Sequence, residues 1–439
     1  MAKNTGMSTT PPREKAILVG VECYAENSIL SMESSLEELY LLSDTAGVEV
    51  VGELSQKLDK PNPSTFIGSG KVNELKELVN ALQADMVIFD EELNPRNFRD
   101  LEEQLPEGTK VIDRTGLILD IFAQHANTSE GKLQVQLAQY EYLYPRLTRA
   151  WTHLVRQAGG GGGRTGSAGG VGLRGPGETQ LEVDRRKIRE QISVLKEDLR
   201  KVQDHRQQTR MKRKKSNIPL IALVGYTNAG KSTLLNRLTK ADVYVADQLF
   251  ATLDPTTRKL WLSEGKEALI TDTVGFIQKL PHQLVAAFRA TLEDIVEADL
   301  LLHVVDISNP DAHAQWQSVI QTLVEIKADD IPMLTVLNKV DKDIQESEIN
   351  ANFPQFKDAV RISAKTGSGI NELQTRIKEY IYDAMMSISV KIPYKQMNLV
   401  NLFHQAGLVE KITNETDHTI IEGKIPARLY RSFSPYKIE

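Results

Sequence analysis

The fold of this chain is decided at Gly225-Tyr226-Thr227-Asn228-Ala229-Gly230-Lys231-Ser232-Thr233. This stretch follows a short apolar run, residues 219–224, and precedes leucines at helical spacing such as Leu234 and Leu238. A strand that turns through glycines into a helix points backbone N–H groups and the positive end of the helix dipole at one place. The pattern predicts a phosphate-binding loop, in which Lys231 reaches the β- and γ-phosphates and the Ser232 hydroxyl ligates magnesium. A chance glycine-rich turn is the alternative for this motif taken alone.

Three further segments follow in order, each at the end of an apolar run. They are Asp272-Thr273-Val274-Gly275, Asn338-Lys339-Val340-Asp341 and Ser363-Ala364-Lys365. The preceding runs, residues 268–270, 331–337 and 359–362, read as buried strands of a parallel sheet. Asp272 is then placed to hold magnesium through water, and Gly275 lets its own N–H approach a γ-phosphate. The four segments together predict an α/β nucleotide-binding domain.

The last two segments predict the base. The Asp341 carboxylate would accept hydrogen bonds from N1–H and the N2 amine of guanine, whereas adenine offers neither donor and leaves a buried charge unpaired. Asn338 is expected to tie this loop to the phosphate loop, and Lys339 to lay its stem over the base. The Ala364 N–H is expected to meet guanine O6. The sequence therefore favours GTP over ATP.

These four segments resemble the first, third, fourth and fifth sequence boxes of GTP-binding proteins. The second box must supply a threonine that senses the γ-phosphate, and Phe250-Ala251-Thr252-Leu253-Asp254-Pro255-Thr256-Thr257 lies in the required interval. Thr252 is the predicted residue because the segment resembles switch I of the Obg–HflX group of GTPases. Thr256 and Thr257 are the competitors, and the alternative for them is the start of a strand over residues 258–262.

The composition is that of a globular protein with several domains. The chain has 439 residues, 41% hydrophobic and 26% charged, which predicts about three domains. Cys23 is the lone cysteine and so cannot form an internal disulfide, and residues 1–15 lack the apolar core of a signal peptide. No apolar stretch nears the length that spans a bilayer. The expected location is the cytoplasm, with a membrane-associated fraction left open.

Charge is unevenly placed. The net charge of −6 argues against indiscriminate binding to nucleic acid, yet residues 200–215 form a dense basic block opposed only by Asp204. Such a block is either a solvated helix end or a surface that contacts phosphates, and composition does not decide between them. The eight histidines show no ligand-like clustering, so no transition-metal site is expected.

The amino-terminal part alternates strand-like and helical patterns. Apolar runs at 16–21, 48–54, 84–89 and 110–112 alternate with helical patterns at 36–42, 72–82 and 98–105. This alternation predicts a small α/β domain. The stretch from Phe66 to Lys71 superficially resembles a phosphate loop but lacks the required spacing, and we interpret it as a turn and helix start.

Two apolar seams follow, and they predict a helical hairpin. The first seam is Leu133, Leu137, Tyr140, Tyr144, Leu147, Trp151 and Leu154, and the second is Leu181, Ile188, Ile192, Leu195, Leu199 and Val202. Pro145 must kink the first helix or remove one backbone bond. At 1.5 Å per residue each arm would extend about 35–40 Å. The tip, residues 159–180, is glycine-rich and carries Arg164 and Arg174. A flexible linker is one interpretation, and contact with RNA phosphates or unpaired bases is the favoured one.

The segment Arg174-Gly175-Pro176-Gly177-Glu178-Thr179-Gln180-Leu181-Glu182, with Asp184-Arg185-Arg186, resembles the HflX family of ribosome-associated GTPases. Taken with residues 250–257 and 272–276, the resemblance covers residues 17–388. It implies that the amino-terminal domain and arm lie on the large ribosomal subunit, with the glycine-rich loop towards the peptidyl-transferase centre. It also implies GTP-dependent binding to 50S and 70S particles and separation of stalled ribosomes into subunits.

The expected organisation is a P-loop GTPase domain with an amino-terminal α/β domain, a helical-hairpin arm and a small carboxyl-terminal α/β appendage. The expected ranges are a tail at 1–15, then 16–130, 131–216, 217–386 and 387–439. In the appendage we expect a helix at 399–403, strands at 408–412 and 419–425, and a last helix near Ala427. Off the ribosome we expect a monomer.

Two residues bear on catalysis. Phe276 follows Gly275 where many small GTPases place a glutamine that orients water, so we expect slow hydrolysis that the ribosome stimulates. Asn228 either helps to coordinate a potassium ion, as in some related GTPases, or caps the loop. Competing functions are an RNA-modification GTPase and a signalling switch at the membrane, but neither explains a glycine-rich loop that carries Arg164 and Arg174.

Overall fold

The computed structural model of the protein describes residues 13–23, 30–147, 180–216, 218–239, 249–250, 252–262, 266–279, 289–342, 356, 358–383, 385–426 and 429–438. The chain divides into two compact units. The first comprises Met1–Asp204 with Lys279–Ala287, and the second comprises His205–Gln278 with Phe288–Glu439. Within the described residues, no helix is both long enough and apolar enough to cross a membrane.

The first unit contains a parallel four-stranded sheet. Its strands are β1 (Lys15–Cys23), β2 (Glu49–Leu58), β3 (Met86–Phe89) and β4 (Lys110–Asp113), in the order β2-β1-β3-β4. The helices between and after them are α1 (Met32–Thr45), α2 (Ser69–Leu82), α3 (Pro95–Gln104) and α4 (Arg114–His125). The predicted alternation is confirmed. Gly68 is the N-cap of α2, which confirms that the stretch from Phe66 to Lys71 is a turn and a helix start.

Side chains at the helix starts fix where these helices begin. The Ser31 hydroxyl accepts the Ser34 N–H at the start of α1. Asn94 caps α3 in a reciprocal arrangement with Asn97, and the Asp113 carboxylate accepts the Gly116 N–H of α4. Each cap satisfies N–H groups that have no partner within the first helical turn.

The two helices of the predicted hairpin are present. Helix α5 spans Ser129–Arg146, with Pro145 inside its last turn, and α6 spans Gln180–Ser216. The seam is confirmed by one apolar cluster, made of Leu133, Leu137, Tyr140, Ile192, Leu195 and Leu199. The predictions for Trp151, Leu154 and the glycine-rich tip before Gln180, including Arg164 and Arg174, lie outside the described residues.

The end of α5 is anchored in the α/β part of the first unit. The Tyr142 hydroxyl donates to Asp113 Oδ1 at 2.7 Å, and Arg146 donates to the Leu93 carbonyl at 2.8 Å. The Arg146 guanidinium also lies 4.0 Å from the centre of the Tyr142 ring. Burial raises the pKa of Asp113, against the opposing charge of Arg146. Because these polar groups are buried together, α5 and the sheet belong to one packed body.

A second buried polar cluster in the first unit surrounds Asp90. Arg114, which is 2% exposed, donates to Asp90 Oδ1 at 2.7 Å and also pairs with Glu38. Lys279 Nζ lies 2.6 Å from Asp90 Oδ2 and 2.5 Å from Glu91 Oε1. Burial by itself raises the pKa of Asp90, but the charges of Arg114 and Lys279 outweigh it and the net shift is downward. Asp90 is therefore held as a carboxylate by two cations.

The second unit contains a six-stranded sheet. Its strands are β5 (Leu220–Gly225), β6 (Thr256–Trp261), β7 (Glu267–Asp272), β8 (Leu300–Asp306), β9 (Met333–Asn338) and β10 (Val360–Arg361), in the order β10-β9-β8-β5-β7-β6. Among the described strands of this sheet, β6 pairs antiparallel with β7 and the other pairs are parallel. The helices are α7 (Lys231–Thr239), α8 (Arg289–Val296), α9 (Ala312–Glu325) and α10 (Ile370–Lys378). Because the parallel strands end at one edge, all four predicted nucleotide segments reach the same edge.

The carboxyl-terminal part forms an antiparallel sheet with the order β11-β13-β12. Strand β11 is Met385–Pro393, β12 is Leu408–Asn414 and β13 is His418–Pro426, with α11 at Met397–Ala406 and α12 at Tyr430–Phe433. The predicted helix and strand pair are confirmed. Strand β11 was not predicted. Ala427, near which the last helix was expected, lies outside the described residues; the described helix that follows is Tyr430–Phe433, and the ring centres of Phe433 and Phe403 are 5.3 Å apart.

Candidate nucleotide-binding site

The phosphate loop between β5 and α7 takes a backbone path that its glycines require. Gly225 has a φ of +153°, and Gly230 has a φ of +94°. A Cβ on Gly225 would collide with the Val304 carbonyl, and one on Gly230 would collide with the Asn338 side-chain amide. Asn228 also adopts a positive φ, +58°, in the region that asparagine tolerates better than most residues. The loop is thus shaped by backbone sterics rather than by its side chains.

Lys231 begins α7 and is buried under this loop. Its Nζ donates to the carbonyls of Gly225 at 3.0 Å and Tyr226 at 2.8 Å. Burial lowers the pKa of Lys231 to about 8, and the nearby Asp272 carboxylate opposes that shift. A buried ammonium group next to the backbone of a phosphate loop favours the binding of a polyphosphate anion. Thr233 follows in the first turn of the same helix.

Three side-chain oxygens converge next to Lys231. Ser232 Oγ lies 2.6 Å from Asp272 Oδ2 and 2.8 Å from Thr252 Oγ1, and Thr252 Oγ1 lies 3.1 Å from the same Asp272 oxygen. Burial raises the pKa of Asp272, against the opposing charge of Lys231 and the two hydroxyls. Its other oxygen, Oδ1, is buried without a hydrogen-bond partner among the described residues. Oxygen ligands with an unsatisfied carboxylate fit a hard cation such as magnesium.

The two competing threonines lie elsewhere. Thr256 and Thr257 begin β6 and pair with Asp272 and Thr271 of β7. The Thr257 hydroxyl donates to Thr271 Oγ1 at 3.2 Å. The structure therefore brings Thr252 to the oxygen cluster and places Thr257 within the sheet, and the sensing role of Thr252 stays a prediction.

The segment after β7 is joined to the phosphate loop. The Thr227 N–H donates to the Phe276 carbonyl at 2.8 Å, and the Phe276 N–H donates to the Gly225 carbonyl at 3.1 Å. Phe276 itself is 2% exposed. A Cβ on Gly275 would lie 2.8 Å from Thr227 Cα, so glycine is required for this close approach. The Phe276 ring is packed in the protein interior and has no polar atom with which to orient water.

The two base-reading segments lie side by side. Asn338 Nδ2 donates to the Ala229 carbonyl at 2.8 Å, which confirms the expected tie to the phosphate loop. The Ala364 N–H, which was expected to meet guanine O6, instead donates to Asn338 Oδ1 at 3.0 Å in this structure. A hydrogen bond from Ser363 lowers the pKa of Asp341, whose carboxylate is exposed. An unpaired charge on Asp341 can therefore select guanine over adenine only when a bound base covers this carboxylate.

Three features of this unit carried no signal in the sequence. Arg237, on α7, donates to the carbonyls of Ala364 and Lys365. Lys339 Nζ lies 2.7 Å from Asp306 Oδ2, at the end of the unpredicted strand β8. His303, on the same strand, is 1% exposed, and burial with the charge of Lys231 lowers its pKa to about 3. In the sequence, β8 is marked only by its apolar run. A single histidine within such a run does not predict a buried, uncharged side chain.

Known families and proteins match nearly the whole chain. Residues 33–123, 125–213 and 220–339 match the families described as GTP-binding GTPase N-terminal, GTP-binding GTPase Middle Region and 50S ribosome-binding GTPase. GTPase HflX of Caldanaerobacter subterraneus subsp. tengcongensis is 46% identical over 398 residues, which are 90% of this chain and 87% of that protein. GTPase HflX of Escherichia coli is 44% identical over 408 residues, 93% of this chain and 92% of that protein. A solved complex of SsGBP with GDP is 25% identical, with a TM-score of 0.46 over 83% of this chain and 98% of that one.

Proposed function

Because the chain belongs to the HflX family of GTP-hydrolysing enzymes, we propose that it is a ribosome-binding switch whose GTP-bound form separates stalled ribosomes into subunits. The observation that carries the proposal is the convergence of Ser232, Thr252 and Asp272 beside the phosphate loop. In this proposal the Thr252 hydroxyl senses the third phosphate, which GDP lacks. It therefore gives the protein different GTP and GDP states.

The site residues divide by role. The phosphates are bound by the loop backbone of residues 225–230 and by Lys231, with Ser232 and Thr233 in the first turn of α7. Ser232, Thr252 and Asp272 would hold magnesium, which supplies positive charge against the β- and γ-phosphates when it is bound. Guanine is read by Asn338, Lys339, Asp341, Ser363, Ala364 and Lys365.

Hydrolysis is slow on the protein alone in this proposal. Gly275 supplies a backbone N–H towards the γ-phosphate, but Phe276 is packed in the interior and does not orient water. Positioning is completed when the ribosome orders the segments that contain Thr252 and Gly275, which is a geometric and electrostatic stimulation. GTP turnover with and without purified 50S or 70S particles tests this step. Equal rates in both conditions exclude it.

Asn228 supports a second, narrower proposal. Its backbone is left-handed and the residue is exposed. An amide oxygen there would help to hold a potassium ion that supplies charge to the reaction, whereas a capping role needs no ion. Turnover compared in potassium and sodium chloride at matched ionic strength separates the two roles.

Ribosome splitting is tested directly by sedimentation. The protein is mixed with 70S particles and GTP, or a non-hydrolysable analogue, and the gradient is read for free 30S and 50S peaks. Lys231→Ala serves as the control, because it removes the phosphate contact and leaves the first unit intact. Free 30S and 50S peaks with the wild type, but not with Lys231→Ala, support splitting. Intact 70S particles in every lane exclude it and favour an RNA-modification or membrane-signalling role.

The domain ranges follow the same proposal. Residues 16–130 and the arm at 131–216 dock on the large subunit, 217–386 bind GTP, and 387–439 form the appendage. The glycine-rich tip with Arg164 and Arg174 contacts ribosomal RNA. We propose a cytoplasmic protein that is monomeric off the ribosome.

A further inference from the structure

Arg237 holds one of the base-reading segments from the outside. It lies on α7, the helix that starts at Lys231. Its Nε donates to the Ala364 carbonyl at 3.1 Å, and its Nη2 donates to the neighbouring Lys365 carbonyl. A planar guanidinium can hold two successive carbonyls in a fixed geometry, whereas a lysine ammonium acts as a point charge. The segment is therefore tethered to the helix that also carries the phosphate-binding lysine.

The same segment is held from the inside by Asn338. The Ala364 N–H donates to Asn338 Oδ1 at 3.0 Å, and Asn338 Nδ2 donates to the Ala229 carbonyl at 2.8 Å. Ala364 is thus fixed at its N–H by Asn338 and at its carbonyl by Arg237. Both links lead back to the phosphate loop and its helix, so the position of Ala364 depends on Arg237 as well as on the predicted asparagine.

The turn that follows is shaped to pack on this guanidinium. The Gly367 N–H donates to the Ser363 carbonyl at 2.8 Å, and the Thr366 N–H donates to Ser363 Oγ at 3.1 Å. Gly367 has a φ of +92°, and a Cβ there would lie 3.7 Å from the Arg237 Cζ. These turn bonds do not involve Arg237. Its removal therefore leaves the turn intact and releases the tether to α7.

We infer that Arg237 is a positioning residue for guanine recognition, which holds Ser363, Ala364 and Lys365 where the base is read. The inference rests on the proposed GTP site and names a residue that positions its base-reading segment. Arg237 acts through the backbone of this segment and not on the phosphates. GTP and GDP therefore lose affinity by the same factor when it is removed, while binding of the phosphates alone is unchanged.

The test compares Arg237→Ala and Arg237→Lys with the wild type and with Arg376→Ala. Arg376 is a matched control because it lies on α10 of the same unit and pairs with Glu379. Fluorescent GTP and GDP give the dissociation constants, and inorganic tripolyphosphate as competitor reports the phosphate loop alone. For Arg237→Ala we expect a rise of about tenfold for both nucleotides, allowing for the partly exposed site. Arg237→Lys should lie between it and the wild type, and tripolyphosphate binding should not change.

The outcomes separate this inference from the proposed function. A wild type that does not bind GTP removes the proposed function itself. Normal wild-type binding with unchanged constants in Arg237→Ala overturns the role of Arg237 alone, as does an equal loss of tripolyphosphate binding. If Arg237→Ala does not fold, Arg237→Lys decides: wild-type affinity in that variant overturns the two-carbonyl tether. In steady state the expected signature is a higher KM for GTP with an unchanged kcat.

Discussion

Replacing Thr252 by valine tests which threonine distinguishes GTP from GDP. Valine keeps the shape of the side chain and removes Oγ1, which lies 2.8 Å from Ser232 Oγ and 3.1 Å from Asp272 Oδ2. A hydrogen bond to a charged group contributes about 1.5–3 kcal/mol, which corresponds to about 10- to 150-fold in affinity. We expect Thr252→Val to lower the affinity for a non-hydrolysable GTP analogue by a factor within this range. GDP affinity should stay unchanged, because GDP has no third phosphate for Thr252 to meet.

The assay is a pair of dissociation constants, for fluorescent GDP and for the fluorescent GTP analogue, in the presence of magnesium. Thr257→Val is the matched control, since it also removes one hydroxyl but breaks a contact with Thr271 inside the sheet. The ratio of the two constants should change for Thr252→Val and not for Thr257→Val. An unchanged ratio for Thr252→Val, or an equal change in the control, would refute the assignment.

Three further perturbations follow from the structure. Gly230→Ala should abolish nucleotide binding in equilibrium dialysis, because its Cβ would collide with the Asn338 amide and its φ of +94° disfavours alanine; retained binding would contradict the loop geometry. His303→Phe should remove a pH dependence of unfolding. The pKa of His303 is about 3 in the folded protein, against an ordinary value of 6.5, so the wild type loses stability as the pH falls below 6.5. At pH 5 that loss is about 2 kcal/mol by urea denaturation, and a variant with the same pH slope as the wild type would refute the cause. Lys279→Met should destabilise the first unit by about 2 kcal/mol in hydrogen exchange, because buried Asp90 keeps Arg114 but loses its second cation; unchanged exchange in β3 would show that the pair contributes nothing.

The sequence predicted those parts of the nucleotide site whose residues lie close together along the chain. The phosphate loop needs glycines at positive φ and a lysine at a fixed offset, and all of these lie between Gly225 and Lys231. The tie from Asn338 to Ala229 was also predicted, since Asn338 ends β9 and Ala229 lies in the loop after β5 at the same edge of the sheet. Strands β8 and β11 were missed. Strand β8 is buried along nearly its whole length, so it lacks the alternation that identifies a half-buried strand. Strand β11 does alternate, with Ile388, Val390 and Ile392 buried, so its signal was present in the sequence and was overlooked.

The amino-acid sequence by itself determined the guanine-nucleotide segments, the alternation of strands and helices, and the apolar seam of the hairpin. Each of these depends on residues that lie within one or two turns of each other, so spacing alone encodes them. Only the tertiary structure decided that Arg237 holds Ala364, 127 positions away, and that Lys279 pairs with Asp90, 189 positions away. The physical reason is that a charged side chain gains its partner only when folding brings distant segments into contact, which no local pattern of residues records.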